Sequence, residues 1–172
     1  MKFVFIGYMA SGKSIVANTL SGVLGIMHID LDAYIESKEK KSISEIFESK
    51  GEIYFRLIES SYLRELLSSN KKFILSVGGG TPCYANNMEL IKLYATSFYL
   101  KASITTIYER LLHEKAKRPL VSNISNTDLK EFIAKHLFER NPFYNLADYT
   151  IVVVDKSVGD IVTEIILLQI SD

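Results

Sequence analysis

The sequence predicts an α/β fold, a parallel sheet with helices on both faces, on three observations. These are short runs of continuously apolar residues, segments of helical period between them, and a glycine-bearing turn joining the first run to the first helix. A strand covered on both faces has no polar side to show, so unbroken apolarity marks parallel strands inside a layered fold. Five runs qualify, at 2–6, 26–29, 73–77, 97–100 and 149–154. Strands alternating with helices connect by right-handed crossovers, which puts ligand binding at the carboxyl ends of the strands.

The first run, Phe3-Val4-Phe5-Ile6, feeds Gly7-Tyr8-Met9-Ala10-Ser11-Gly12-Lys13-Ser14, and helical period begins near Ile15. This is the GxxxxGKS phosphate-binding pattern in the strand-to-helix setting it requires. The backbone N–H groups of such a turn wrap a polyphosphate, and the helix aims its positive N-terminus at the same anion. Lys13 then reaches the β and γ phosphates, and the Ser14 hydroxyl ligates Mg²⁺. A chance match is the alternative, and spacing, Lys and Ser together argue against it.

His28-Ile29-Asp30-Leu31-Asp32 sets two carboxylates just beyond the second strand, beside the phosphate loop. If the strand continues through them, both point the same way. One acid near Mg²⁺ and one near an acceptor hydroxyl divide the labour of phosphoryl transfer, whereas the plainer reading makes Asp32 a helix cap. Ser42-Ile43-Ser44-Glu45 is a capping box followed by an apolar stripe of Ile43, Ile46 and Phe47. The segment 41–70 then reads as two inserted helices, broken where Gly51 interrupts the pattern.

Phe55-Arg56-Leu57-Ile58-Glu59 puts opposite charges three residues apart on a helix, either a solvated pair or a placed cation. Ser76-Val77-Gly78-Gly79-Gly80 leaves the third strand with a run whose entropic cost implies close approach or positive φ, or else an ordinary turn. Ser103 and Ser157 are expected N-caps, the latter for a helix with Ile161, Ile165 and Leu168 on one face. Arg110 follows the fourth strand, as an exposed helical residue or a neighbour of the nucleotide base. The stretch 114–126 lacks period and contains Pro119, so it is a loop from which Arg118 can fold over a transferring phosphoryl group or remain exposed. Arg140-Asn141-Pro142-Phe143-Tyr144 is expected to end the helix from Leu129, because the residue before proline disfavours helix. Arg140 then favours the negative helix end or binds an anion.

The 172 residues fit a single domain over the whole chain, 48% hydrophobic, with 20 Lys and Arg against 20 Asp and Glu. No overall field attracts nucleic acid or an anionic membrane, and no stretch is long and apolar enough for a span. Cys83 is the sole cysteine, which excludes an internal disulfide and suits a cytoplasmic setting. His28, His113 and His136 have no metal-ligand spacing.

Taken in order, the phosphate loop, Asp30-x-Asp32, Phe55-Arg56-x-Ile58-Glu59, Gly78 to Gly80, Arg118-Pro119-Leu120 and Arg140-x-Pro142-x-Tyr144 resemble shikimate kinase over nearly the whole chain. The resemblance implies the three-layer P-loop NTPase fold with a five-stranded parallel sheet, substrate-binding helices about 31–70 and a lid about 114–126. It implies a phosphotransferase acting on ATP and shikimate in chorismate and aromatic amino acid biosynthesis, with one Mg²⁺ and as a monomer. By the same resemblance Ala10, Ser11, Gly12, Lys13, Ser14 and Ile15 hold the ATP phosphates, with Arg110 and Lys156 toward the nucleoside and Arg118 at the transferring phosphate. Ser14 and Asp30 serve the metal. Asp32, Arg56, Gly78, Gly79, Gly80 and Arg140 bind shikimate, with Lys13, Asp32 and Arg118 catalytic. Two departures stand out: Ala10 where the family commonly has glycine, and Asn145 where a charged residue is more usual. Rival readings are a gluconate or nucleoside monophosphate kinase on the same scaffold, or a nucleotide-binding module without turnover.

Overall fold

A computed structural model describes residues 1–114, 121 and 124–170. Five strands, β1 (Lys2–Ile6), β2 (His28–Asp30), β3 (Phe73–Ser76), β4 (Thr96–Lys101) and β5 (Tyr149–Val152), form one sheet. Its order is β2-β3-β1-β4-β5 and every pairing is parallel. Val4, Phe5 and Ile6 are consecutive and all fully buried, so β1 is covered on both faces. The helices are α1 (Lys13–Leu24), α2 (Leu31–Glu39), α3 (Ile43–Ser68), α4 (Asn87–Tyr94), α5 (Ile104–Glu114), α6 (Asn126–Tyr144) and α7 (Val158–Ile170), with a 3₁₀ turn at Thr81–Cys83. Helix α1 packs on α7, α3 on α4, and α5 on α6.

Three expectations need correction. The second strand begins two residues late, because both backbone polar groups of Ile26 belong to the end of α1. Its N–H donates to Ser21 O at 3.3 Å and its carbonyl accepts from Ser21 Oγ at 2.6 Å. That strand also stops at Asp30, where α2 begins, so Asp30 and Asp32 do not lie on one extended face. It pairs with β3, which separates it from β1. Helix α6 runs through Pro142 to Tyr144 instead of ending before the proline. The proline removes the bond to the Phe138 carbonyl, yet Phe138 lies on an exposed face. Tyr144 is fully buried and donates to Gly79 O at 2.6 Å, which anchors the last turn.

The expected caps form. Ser42 and Glu45 make the reciprocal capping box, and Ser103 and Ser157 accept from the N–H groups of Thr106 and Asp160 at 3.0 and 3.1 Å. Within α3 the backbone at Gly51 leaves the helical region at φ 80°, ψ 173°, so two helical arms meet there. The lid expectation falls mostly on residues 115–120, 122 and 123, and with them Arg118 lies outside the described residues. Of its remainder, Val121 is fully buried.

Candidate active site

The loop from Gly7 curls back at the end of β1, and Lys13 Nζ donates to its carbonyls Gly7 O at 2.8 Å and Tyr8 O at 2.9 Å. The lysine charge therefore stands inside the loop, where the phosphates of a nucleotide require it. Ala10 takes φ 59°, the left-handed region that costs an L-residue about 1–2 kcal/mol. Its carbonyl accepts from Arg110 Nη1 at 3.0 Å, so this exposed α5 arginine sits over the phosphate loop. Ser11 Oγ is buried with no hydrogen-bond partner among the described residues, whereas Ile15 is exposed.

Ser14 Oγ and Asp30 Oδ2 stand 3.5 Å apart. Two hard oxygen donors at a phosphate loop suit Mg²⁺, which keeps waters and phosphate oxygens in the rest of its shell. No group of three or more His, Cys, Asp and Glu that could hold a metal occurs among the described residues. The other Asp30 oxygen caps α2, accepting from Asp32 N at 3.1 Å and Ala33 N at 3.3 Å. Capping thus falls to Asp30 and leaves the Asp32 carboxylate uncommitted to it. Burial pushes the Asp32 carboxyl up to about 6, helped by the charges of Asp30 and Glu59 and opposed by Lys13.

The glycine run lies between two guanidinium groups. A Cβ on Gly80 would stand 2.8 Å from Arg56 Nη2, one on Gly79 3.2 Å from Arg140 Nη1, and one on Gly78 3.5 Å from Asp32 Oδ1. None of the three has positive φ, so what the missing side chains provide is room for close approach, tightest where the Arg56 guanidinium meets Gly80. Arg56 and Glu59 are not a solvated pair. Glu59 is 1% exposed, receives Arg56 Nη1 at 2.9 Å and accepts the Thr81 hydroxyl at 2.6 Å. Glu52 adds weaker contacts to the Arg56 Nε and Nη2, each at 3.4 Å, and the Tyr84 ring lies 4.0 Å from the Arg56 Cζ. Arg140 lies a turn before the end of α6, away from its terminal carbonyls, with its Cζ 5.5 Å from the Tyr8 ring centre.

The family model for shikimate kinase matches residues 9–169. The chain is 48% identical over 166 residues to a shikimate kinase of Flavobacterium johnsoniae, covering 96% of each chain. The chain belongs to the shikimate kinase family. A crystal structure of shikimate kinase from Bacteroides thetaiotaomicron superposes with a TM-score of 0.91 at 29% identity, covering 98% of both chains. A solved structure of the Acinetobacter baumannii shikimate kinase in complex with shikimate gives a TM-score of 0.89 at 32% identity, covering 99% of this chain and 93% of that one. ATP-dependent phosphorylation of a shikimate hydroxyl, a step in chorismate and aromatic amino acid biosynthesis, is accordingly the reaction of this enzyme.

Within this shikimate kinase fold, Lys13, Ser14, Asp30, Asp32, Arg56, Gly78 to Gly80, Arg110 and Arg140 converge at the carboxyl ends of β1, β2 and β3. Lys156 is instead ion-paired with Glu164 at 2.6 Å in the turn before α7. Sequence reasoning passed over Thr81 and Tyr8. Thr81 carried a faint signal, a hydroxyl directly behind the glycine run. Tyr8 fills a loop position that the phosphate-binding pattern leaves open.

Proposed function

We propose that the chain transfers the γ-phosphoryl group of ATP to the 3-hydroxyl of shikimate with its residues in the following roles. The phosphate loop, residues Ala10 to Ile15, holds the ATP phosphates, with Lys13 against the β and γ groups and Arg110 bracing the loop at Ala10. Ser14 and Asp30 hold Mg²⁺, which when bound spreads the charge of the transferring phosphoryl group. Asp32 orients the acceptor hydroxyl and takes up its proton at a carboxylate oxygen, a task suited to an acid whose pKa lies near 6. Arg56 and Arg140 grip the substrate carboxylate from either side of the glycine backbone, using the planar fork that lysine lacks. Arg118 reaches the transferring phosphate from the lid, Lys156 lies toward the nucleoside, and the enzyme works as a cytoplasmic monomer.

The observation carrying this reading is the glycine run, packed against Arg56 and Arg140 and facing Asp32 at its Gly78 end. Phosphoryl transfer passes through a loose transition state, so positioning and charge are what the protein must supply, and these residues supply both. The test is ADP release by purified protein with Mg-ATP and, separately, shikimate, gluconate, AMP and CMP. Turnover is expected with shikimate alone. Turnover of another acceptor with shikimate inert would overturn the acceptor assignment, and no turnover with any would favour a binding module.

A further inference from the structure

We infer that Tyr8 is a positioning residue that ties the phosphate loop to the acceptor clamp, its ring face supporting the Arg140 guanidinium while its carbonyl holds Lys13. The inference rests on Arg140 gripping the substrate carboxylate. Helix α6 presents Phe132, His136, Arg140 and Tyr144 at intervals of four, one ladder along one face. The Phe132 and His136 ring centres are 4.0 Å apart, and Tyr144 fastens the far end of the ladder to Gly79 O at 2.6 Å. Tyr8, 1% exposed, docks across the middle of it. Its hydroxyl lies 3.2 Å from His136 Nδ1 and its ring centre 5.5 Å from the Arg140 Cζ. The Tyr8 carbonyl meanwhile accepts from Lys13 Nζ at 2.9 Å and from the Ser11 N–H at 3.2 Å.

An aromatic face suits this task for an electrostatic reason. A carboxylate beside Arg140 would fix its position but compete with the substrate for its charge. A ring face attracts the guanidinium by its quadrupole and leaves the charge and the in-plane donors for an incoming acid. Burial pushes the Tyr8 hydroxyl up to about 12, with Arg140 acting against it, so the ring remains neutral at working pH. Because the same residue forms the wall of the loop around Lys13, the donor-side and acceptor-side cations keep a fixed spacing, which in-line transfer requires.

Tyr8→Leu removes the ring face, Tyr8→Phe keeps it without the hydroxyl, and Phe132→Leu disturbs the His136 contact two turns from Arg140. In steady-state assays Tyr8→Leu should raise the KM for shikimate about five- to twentyfold while the KM for ATP stays within about twofold. Tyr8→Phe and Phe132→Leu should hold both constants within about twofold. In an Arg140→Met background Tyr8→Leu should add nothing, since the group it supports is gone. If Tyr8→Leu does not fold, Tyr8→Met fills similar space without a π face and carries the same expectation. An unchanged shikimate KM in the ring-less variant, a parallel rise for ATP, or equal damage from Tyr8→Phe would overturn the inference. Wild-type protein inert toward shikimate would instead overturn the function beneath it.

Discussion

Arg56 and Arg140 flank the same glycine run with the same charge, yet they are held in opposite ways. Burial works against the Arg56 charge, and Glu59, with smaller help from Tyr84 and Glu52, more than offsets it, so its pKa rises. Its Nη1 is committed to Glu59, its outer edge leans on Glu52, and its face lies on Tyr84. Arg140 has no carboxylate within ion-pair distance among the described residues; its guanidinium lies over the Tyr8 ring and meets the Tyr144 hydroxyl, both neutral groups. An arginine neutralised by its own acid is positioned and stable but has less charge to offer. One held by a ring is less firmly fixed and electrostatically available. In the clamp proposed above the two are complementary: Arg56 would set the place of the substrate carboxylate and Arg140 would supply the larger attraction.

Replacing the available cation should have the largest effect. Arg140→Lys keeps the charge but loses the planar fork, and kcat/KM for shikimate should fall about thirtyfold or more, roughly 2 kcal/mol, with the ATP constants little changed. Equal loss for both substrates would dissolve the contrast. Glu59→Gln strikes the other arginine and should read first in stability. It leaves a half-buried guanidinium without its buried acid, costing about 3 kcal/mol and lowering Tm by about 6–12 °C. A melting temperature unchanged by that substitution would mean that Arg56 is not braced as its contacts imply.

Asp32 sharpens the comparison through pH, because Glu59 is one of the charges holding its pKa up. The folded-state value near 6 lies above the unfolded 3.8, so the folded state binds the extra proton. Stability without metal or nucleotide should therefore be greatest below about pH 4 as far as this group is concerned, and decline as pH rises through about 6. Asp32→Asn removes that cost and should raise Tm at pH 8, with the advantage shrinking toward pH 4.5, while kcat falls about 10²-fold or more. In the wild type, kcat/KM should decline below about pH 6, and Glu59→Gln should move this acid limb to lower pH. A limb unmoved by Glu59→Gln would uncouple Arg56's acid from the chemistry. The smallest effect is expected at Glu52, whose side chain is 54% exposed. Glu52→Gln should change stability by less than about 1 kcal/mol and lower the shikimate KM slightly, since it removes an acid that competes for Arg56.

The donor half was legible in the sequence because its signals are local. An apolar strand, a fixed glycine spacing and a helix start lie within a few residues of one another, and β1 forms at 2–6 as expected. Capping boxes are equally local, and Ser42 with Glu45 forms as read. The acceptor half depends on contacts between distant segments. The i, i+3 spacing of Arg56 and Glu59 suggests a surface pair until Thr81, 22 residues beyond Glu59, donates its hydroxyl and buries the carboxylate. Proline chemistry predicts that α6 stops early, and the Tyr144 bond to Gly79, 65 residues away in sequence, anchors the turn that continues past it. The plainer reading makes Asp32 the helix cap, but capping falls to Asp30 because β2 ends at Asp30 and α2 begins at Leu31. Ala10 is readable as a departure, and its φ of 59° lies in the left-handed region that glycine enters without strain.

The most direct test of the account compares shikimate with its methyl ester, which retains the reacting hydroxyl and removes the acid. If Arg140 supplies the main attraction for that acid, kcat/KM should fall about a hundredfold or more from acid to ester in the wild type. In Arg140→Met the two should become nearly equal. An ester phosphorylated as well as the acid by the wild-type enzyme would contradict the account.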